Sequence, residues 1–396
     1  MKLSISPLLL TTLCFGLACG VPSPQAPSSP ELETTTCDEE VDPCAEEQSE
    51  QALSTACSPT NLLECIYGSR RVGQTNAIEA GVFYVPAAHR ENDIPVIVML
   101  PQGATGALPT IVFNHGGSMI PQGQVKRGVM EWGEALARGG YAVLLPTNNE
   151  PTVTDTENYC LAIGFTPYSP ECQESLRGQG AFFRPQDVSA VIDAFAYLTA
   201  QLQDFGVELD VTRLGVGGWS AGSSTTIRVA GATSILHPSL PPASFEDPRP
   251  KAFIAMSPAG FDAGAFHADS WIGVDRPVFT ATAEGDHHPA RLFENQVYPH
   301  YNMPATGTKY QLYYNSEDTA HNTLNLEASN SNFHRTILGS IGLAFADAYI
   351  LNKRLAREYL SRDIVRNLLG ANPDLRTESA TALDLNGDPV PQWSVR

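Results

Sequence analysis

Short apolar runs alternate with segments of helical spacing over most of this 396-residue chain. A run without polar alternation is typical of a strand buried on both faces, as in a parallel sheet. Six such runs are predicted as strands: Leu108–Asn114, Tyr141–Pro146, Thr212–Gly217, Lys251–Met256, Pro277–Thr282 and Tyr310–Tyr314. Two further strands are predicted before them, at Ala80–Val85 and Pro95–Leu100. The pattern therefore predicts an α/β fold whose sheet is mostly parallel and doubly wound, with helices on both faces.

Four helices are predicted, and the long stretch between the first two has no helical pattern. The helices are Val129–Arg138 closed by Gly139-Gly140, a helix that begins at Arg184-Pro185, Ser223–Ala230, and a long amphipathic helix from Phe333 to Leu360. The second helix is expected to bury one apolar face, formed by Val188, Val191, Ile192, Phe195 and Leu198. The stretch from Thr147 to Gly180 is predicted to be irregular.

The segment Gly218-Trp219-Ser220-Ala221-Gly222 has the pattern G-x-S-x-G and lies between a predicted strand and a predicted helix. In that context the serine lies on a tight strand-to-helix turn, where a side chain on either glycine would crowd the backbone. The first N–H groups of the helix favour negative charge that develops near the serine. Ser220 is therefore the candidate nucleophile, and a Gly/Ser-rich loop that matches by chance is the alternative.

A nucleophilic serine needs a base and an acid that orients the base. Asp286 follows one predicted strand, and His321 follows the last one. We therefore interpret Asp286 as the acid and His321 as the base that takes the proton from Ser220 and returns it to the leaving group. Glu284 and Asp262 are the alternatives for the acid, and the alternative for His321 is an imidazole in a surface loop.

The negative charge that develops on the substrate oxygen needs two preorganised N–H donors. Ala221 is one candidate, because it is the residue after the nucleophile. The other donor is expected in the loop His115-Gly116-Gly117-Ser118, with Gly117 favoured and Ser118 next to it. A simple turn at the two glycines is the alternative, and His115 is interpreted as structural rather than catalytic.

The order of these motifs resembles the α/β-hydrolase superfamily. HGG, RPxD, GWSAG, EGD and a later His are similar to the dienelactone hydrolase and platelet-activating-factor acetylhydrolase branch, over residues 75–360. The resemblance implies the α/β-hydrolase fold and hydrolysis of a carboxylic ester through an acyl-enzyme on Ser220. Ser118 and Trp219 are candidate substrate-binding residues, with packing as the alternative for Trp219. Dienelactone hydrolases themselves use Cys as the nucleophile, so the specific substrate does not carry over.

The net charge of the chain limits the classes of partner that it is expected to bind. The net charge is −19, and residues 31–50 hold nine acidic residues and no Lys or Arg. We expect no nucleic-acid partner, since no basic patch exists to release counterions from a phosphate backbone. The expected partner is a small-molecule or lipid ester. No cofactor and no metal are expected.

Residues 1–18 are predicted to be a signal peptide, because Lys2 precedes a short apolar run and small residues. Leu17-Ala18-Cys19-Gly20 also resembles a bacterial lipobox, in which Cys19 would carry lipid and anchor the chain to a membrane. Gly16 departs from that pattern, which usually has Leu there. An exported lipoprotein is favoured over plain secretion.

Six cysteines remain when Cys14 and Cys19 are set aside: Cys37, Cys44, Cys57, Cys65, Cys160 and Cys172. An even count in an exported chain suggests three disulfides. Pairing of sequence neighbours is the simplest of the 15 connectivities, and a zinc site is the alternative, although the chain has no CxxC pair. A Cys160–Cys172 bridge would pin the long insertion between Thr147 and Gly180, and would contribute about 3 kcal/mol to the free energy of unfolding.

The predicted organisation is a signal peptide, an acidic Pro/Ser-rich linker at 19–66, a catalytic domain at 67–370 and a tail at 371–396. The predicted function is an exported serine esterase. A serine peptidase of the same fold and a non-catalytic surface binding protein are the alternatives. The sequence predicts no oligomeric state.

Overall fold

The computed structural model of the chain describes residues 67–68, 75–261, 264–283, 285–286, 294–314, 321–326, 332–361 and 393–395. Several sequence predictions lie outside these residues: the signal peptide 1–18, the linker 19–66 with Cys19, Cys37, Cys44, Cys57 and Cys65, and the alternative acids Asp262 and Glu284.

A nine-stranded sheet organises the described residues. Its strands are β1 (Ala77–Val85), β2 (Ile94–Pro101), β3 (Gly106–Asn114), β4 (Ala142–Pro146), β5 (Val207–Trp219), β8 (Ala252–Met256), β9 (Val278–Ala283), β10 (Lys309–Tyr314) and β11 (Trp393–Val395). Their spatial order is β1-β2-β4-β3-β5-β8-β9-β10-β11. Two short strands, β6 (Thr233–Ser234) and β7 (Ala243–Ser244), form a separate ribbon.

Parallel pairing dominates the sheet. Strands β4, β3, β5, β8, β9 and β10 are parallel to one another. Strand β2 runs antiparallel to β1 and β4, and β11 runs antiparallel to β10. The predicted mostly parallel sheet is confirmed. The carboxyl ends of the parallel strands meet at one edge, which is where ligands bind in open α/β sheets.

Nine α-helices are present in the described part of the chain. They are α1 (Met130–Arg138), α2 (Val153–Ala162), α3 (Pro170–Ser175), α4 (Gln179–Asp193), α5 (Phe195–Gln201), α6 (Ala221–Val229), α7 (Glu294–Asn302), α8 (Asn332–Tyr349) and α9 (Arg354–Ser361). Short 3-10 helices lie at Leu176–Gly178, Gln203–Phe205 and His321–Asn325.

The core consists of two apolar layers, one on each face of the sheet. Trp132 of α1 and Phe345 of α8 lie in one layer together with Ile111 of β3. Val188 of α4 lies in the other layer together with Val112 of β3. Successive residues of β3 therefore enter opposite layers, which explains why its sequence is apolar without alternation. The predicted placement of helices on both faces is confirmed.

The prediction that residues 147–180 are irregular is wrong. Helix α2 begins there with a capping box, in which Thr152 accepts from the backbone N–H of Asp155 and Asp155 accepts from that of Thr152. Helix α3 begins after Ser169, whose side chain accepts from the N–H of Cys172. A disulfide joins Cys160 to Cys172, with their Cα atoms 5.4 Å apart.

Helix α4 does not begin at Arg184-Pro185 but earlier, at Gln179, so Pro185 lies inside it. Proline has no N–H to donate to the carbonyl four residues before it. The side-chain amide of Gln186 donates to the carbonyl of Phe182 at 2.9 Å, next to the carbonyl that Pro185 leaves without its helical donor. The apolar face predicted for this segment is buried as expected, although it is shared between α4 and α5.

The long helix predicted from Phe333 to Leu360 is two helices, α8 and α9. Asn352 between them has φ 61°, a left-handed conformation that ends a helix. The backbone N–H of Lys353 then donates to the carbonyl of Asp347 at 3.0 Å. Among the described residues, no helix has the length and apolar content that crossing a membrane requires.

The tail predicted at 371–396 contains one strand of the sheet. Trp393–Val395 pairs with β10 in antiparallel register, with Trp393 opposite Leu312 and Val395 opposite Tyr310. Three residues are too short a run for periodicity to distinguish from a turn or a loop.

Candidate active site

Ser220 lies on a strained turn between β5 and α6. Its backbone has φ 55° and ψ −118°, which L-residues rarely adopt outside functional turns. A Cβ atom on Gly218 would lie 2.4 Å from the carbonyl carbon of Gly222, and one on Gly222 would lie 2.1 Å from the carbonyl oxygen of Asn114. Both positions therefore require glycine, and the backbone packing forces the side chain of Ser220 outward.

The turn is held by hydrogen bonds on both sides. The N–H of Ser220 donates to the carbonyl of Met256 at 2.8 Å, which ties the turn to β8. The hydroxyl of Ser223 lies 2.6 Å from the carbonyl oxygen of Ser220 and 3.0 Å from that of Ser257, and donates to them. Ser220 is thus fixed at the N-terminus of α6, whose dipole favours negative charge at this position.

His321 and Asp286 are joined by a hydrogen bond. The Nδ1 atom of His321 lies 2.5 Å from Oδ1 of Asp286. A carboxylate accepts only, so Nδ1 carries the proton and Nε2 is left to accept one. Asp286 is fully buried just after β9, whereas the side chain of His321 is 37% exposed. The imidazole can therefore reach a substrate while the carboxylate fixes its orientation.

The buried carboxylate of Asp286 has two further donors, which sequence reasoning missed. The hydroxyl of Ser257 donates to Oδ1 at 3.0 Å, and the hydroxyl of Thr282 donates to Oδ2 at 2.9 Å. The side-chain amide of Gln296 on α7 donates to the Ser257 hydroxyl at 3.2 Å. One signal was present, because Ser257 follows the strand β8 directly; Gln296 lies on an element with no strand-end placement to mark it.

Trp219 contacts the imidazole of His321 rather than the cavity. The two ring centroids are 4.7 Å apart, and the indole Nε1–H donates to the backbone carbonyl of His321 at 3.1 Å. Trp219 is not among the described residues that line the cavity beside Ser220. The geometry favours packing, the second of the two interpretations that the sequence left open for this residue.

The loop after β3 lies directly against the serine turn. A Cβ atom on Gly116 would lie 2.4 Å from the ring of Trp219, so this residue must be glycine. Gly117 has φ 75°, a left-handed conformation that glycine adopts at no steric cost. The buried guanidinium of Arg184 donates to the carbonyls of His115 and Gly117, at 3.2 and 3.0 Å. These bonds turn the two carbonyls toward the arginine.

His115 fixes the base of the same loop as a neutral imidazole. Its Nε2 accepts from the backbone N–H of Asn148 at 3.1 Å, so its Nδ1 carries the proton and donates to the carbonyl of Gly116 at 2.8 Å. Burial and the positive charge of Arg184 lower the pKa of His115 from 6.5 to about 3. A buried neutral imidazole with both nitrogens bonded is structural, as the sequence suggested.

A cavity of about 610 Å³ brings five of the predicted site residues together. Ser220, Ala221, Gly117, Ser118 and His321 all line it. No hydrogen bond joins the Ser220 hydroxyl to His321 within the described residues. In unliganded enzymes such bonds are often long and shorten when substrate binds.

The described residues contain no cluster of three or more His, Cys, Asp or Glu side chains that could hold a metal ion. Comparison of the chain with protein-family models gave no match, and comparison with the curated proteins gave none either.

Proposed function

We propose that this chain is a serine hydrolase of the α/β-hydrolase fold that cleaves carboxylic esters through an acyl-enzyme on Ser220. The observation that carries the proposal is the strained turn of Ser220, which shares one cavity with a His321 bonded to a buried Asp286. The strand order and the antiparallel β2 are consistent with that fold.

In the proposed first step, Nε2 of His321 takes the proton of the Ser220 hydroxyl while its oxygen attacks the ester carbonyl. Asp286 stabilises the imidazolium that forms. The oxyanion accepts from the backbone N–H groups of Ala221 and Gly117. When the tetrahedral intermediate collapses, the bond to the alcohol oxygen breaks and His321 gives its proton to that oxygen.

In the second step, water attacks the acyl group on Ser220 in the same way. His321 removes a proton from the water, the bond to the Ser220 oxygen breaks, and that oxygen recovers the proton. The products are an alcohol and a carboxylic acid. The same N–H groups stabilise both tetrahedral intermediates, because the carbonyl oxygen occupies the same position in each step.

The test is to measure initial rates on p-nitrophenyl esters of two, four, eight and twelve carbons, with Ser220→Ala beside the unmodified protein. We expect the substitution to lower kcat by on the order of 10³-fold or more, since it removes the atom that carries the acyl group. Ser361→Ala is the matched control, because Ser361 is exposed on α9. Retention of full turnover by Ser220→Ala would refute the proposal.

A further inference from the structure

The cavity beside Ser220 carries positive charge in a strongly acidic protein. Three arginines are among the described residues that line it: Arg177, Arg184 and Arg228. No Asp or Glu is among those lining residues, although the chain as a whole has a net charge of −19. A cluster of positively charged side chains in a protein of net negative charge needs a physical explanation.

Arg228 is buried, and no carboxylate among the described residues pairs with it. It is 3% exposed, and its guanidinium lies over the ring of Phe266 at 4.3 Å. Nε donates to the hydroxyl of Ser234 at 2.7 Å, and Nη2 donates to the carbonyl of Gly264. No described acidic side chain lies within ion-pair distance of it. Neutral groups alone leave a buried charge poorly compensated, and Nη1 has no described partner.

Arg184 adds a second buried cation nearby. Burial, together with repulsion from Arg184, lowers the pKa of Arg228 to about 9. Burial is also the main cause that lowers the pKa of Arg184 to about 10. Both lowered pKa values mean that the surroundings destabilise the protonated guanidinium, and a bound anion would offset that effect. The exposed side chain of Arg177 extends the positive surface outward.

We propose that this cavity takes esters whose acyl or alcohol part carries an anionic group, a carboxylate or a phosphate, bound by Arg228 with help from Arg177. The inference rests on the proposed function, because it names the substrate class of the same site. Arginine suits this role, since its planar guanidinium pairs with carboxylate or phosphate through two N–H donors.

The helix α6 sets the distance between the scissile bond and the anionic group. Ser220, Ser224 and Arg228 follow one another at four-residue spacing, so they lie on one face of the helix, and all three line the cavity. Eight residues advance about 12 Å along the axis, and a long side chain leans back toward the N-terminus. A Cβ atom built on Gly264 would lie 3.4 Å from Nη2 of Arg228 and 4.0 Å from the hydroxyl oxygen of Ser224, so the guanidinium extends back toward Ser224. Ser224 follows Ser220 by four residues, about 6 Å along the axis, which is roughly the length of a chain of four methylenes.

The experiment compares two matched pairs of esters. The first pair is mono-p-nitrophenyl adipate and its neutral monoamide, in which the acyl side differs only in charge. The second pair is 4-acetoxybenzoate and 4-acetoxybenzamide, in which the alcohol side differs. We expect kcat/KM for the anionic member of one pair to exceed that of the neutral member by about tenfold or more. The pair that responds identifies the side of the ester that Arg228 binds.

Arg228→Gln is expected to lower this anionic-to-neutral ratio toward one. Because it also removes hydrogen bonds to Ser234 and Gly264, Arg177→Gln serves as a second variant, with a smaller decrease expected for an exposed charge. Arg138→Gln is the matched control, since Arg138 pairs with Glu134 on the exposed side of α1. A ratio near one for both pairs in the unmodified protein, with Ser220-dependent turnover, would overturn the inference and leave the proposed function standing.

Binding measurements test the anion site independently of the proposed ester hydrolysis. Titration calorimetry on Ser220→Ala would use adipate, adipamide and inorganic phosphate as probes. Binding of adipate but not adipamide, weakened by Arg177→Gln, supports the anion site even where no ester is cleaved, an outcome that removes only the proposed function. Tighter binding of phosphate than of adipate assigns a phosphate-bearing substrate, and the reverse order assigns a carboxylate. No binding of either anion overturns the site.

Discussion

Ser257 connects the proposed acid to the rest of the site. Its hydroxyl lies 3.0 Å from Oδ1 of Asp286 and 3.0 Å from Nδ1 of His321. Since Nδ1 already carries a proton, the single proton of Ser257 goes to the carboxylate, and the amide of Gln296 donates to Ser257 in turn. We therefore assign Ser257 as a positioning residue for the pair of Asp286 and His321.

Ser257→Ala is expected to lower kcat on a p-nitrophenyl ester by about tenfold, the equivalent of one lost hydrogen bond to a charged group. KM should change little, because the lost bond acts on the carboxylate. The measurement is a full rate profile against substrate concentration. Ser340→Ala is the control: Ser340 is also buried and donates to the carbonyl of Tyr67 at 3.1 Å. Equal loss of kcat in both variants would mean that Ser257 is merely structural.

His115 gives a prediction about pH. Its pKa in the folded chain, about 3, lies below the ordinary 6.5. Between these values the unfolded chain binds a proton that the folded chain does not, so the stability contributed by His115 falls as pH falls below 6.5. Between pH 7.5 and pH 5 this loss amounts to about 2 kcal/mol of unfolding free energy.

Urea unfolding at the two pH values tests this expectation. His115→Asn keeps a neutral hydrogen-bonding side chain that does not titrate. We expect the unmodified protein to lose about 2 kcal/mol more than the variant between pH 7.5 and pH 5. Comparing losses rather than absolute stabilities removes the cost of the substitution itself. Equal losses would mean that His115 is protonated in the folded chain.

At the scale of elements, sequence patterns predicted the strands and turns whose conformation is determined by their own residues. The strand β3 could be predicted because each of its residues from Leu108 to Asn114 is buried, and a strand buried on both faces needs apolar residues throughout. The turn at Ser220 could be predicted because its two glycines are sterically required. In both cases the residues that form the element carry the pattern that predicts it.

The elements that the sequence missed depend on contacts made elsewhere. Helix α2 has little apolar periodicity, and it is held by the disulfide at Cys160 and by the packing of Tyr159 against Phe183. Helix α4 continues through Pro185, and the part of it before the proline packs Phe183 against Tyr159 of α2. The role of Gln296 arises only when α7 packs on the ends of β8 and β9, so no spacing along the chain reveals it.

At the scale of the whole molecule, the charge that lines the candidate site is opposite in sign to the net charge of the chain. The chain is acidic overall, yet the described lining of the candidate site holds arginines and no carboxylate. An anionic substrate of the proposed kind would therefore be repelled at long range and attracted at short range. Within the cavity the arginines act at a few ångströms, where screening by salt is weakest. Selectivity is thus expected to arise inside the cavity rather than during approach.

Tyr67 joins the first of the described residues to α8 and α9. Its hydroxyl donates to Oδ2 of Asp347 at 2.8 Å, and its ring packs against Tyr359 with centroids 5.3 Å apart. Asp347 is fully buried within α8, and the hydroxyl of Tyr141 donates to its other oxygen. Loss of Tyr67 would therefore weaken the solvation of a buried carboxylate and expose part of the core.

Two truncated chains test the contribution of Tyr67. A chain that begins at residue 67 keeps every contact of the described residues and is the reference for unfolding free energy. A chain that begins at residue 75 should lose about 1–3 kcal/mol, the cost of removing a donor from a buried polar group. Tyr67→Phe removes the hydroxyl alone, and Tyr84→Phe is its control, since Tyr84 is 52% exposed. Urea unfolding measures all four proteins, and equal stability of the chains that begin at 67 and 75 would show that Tyr67 does not anchor α8.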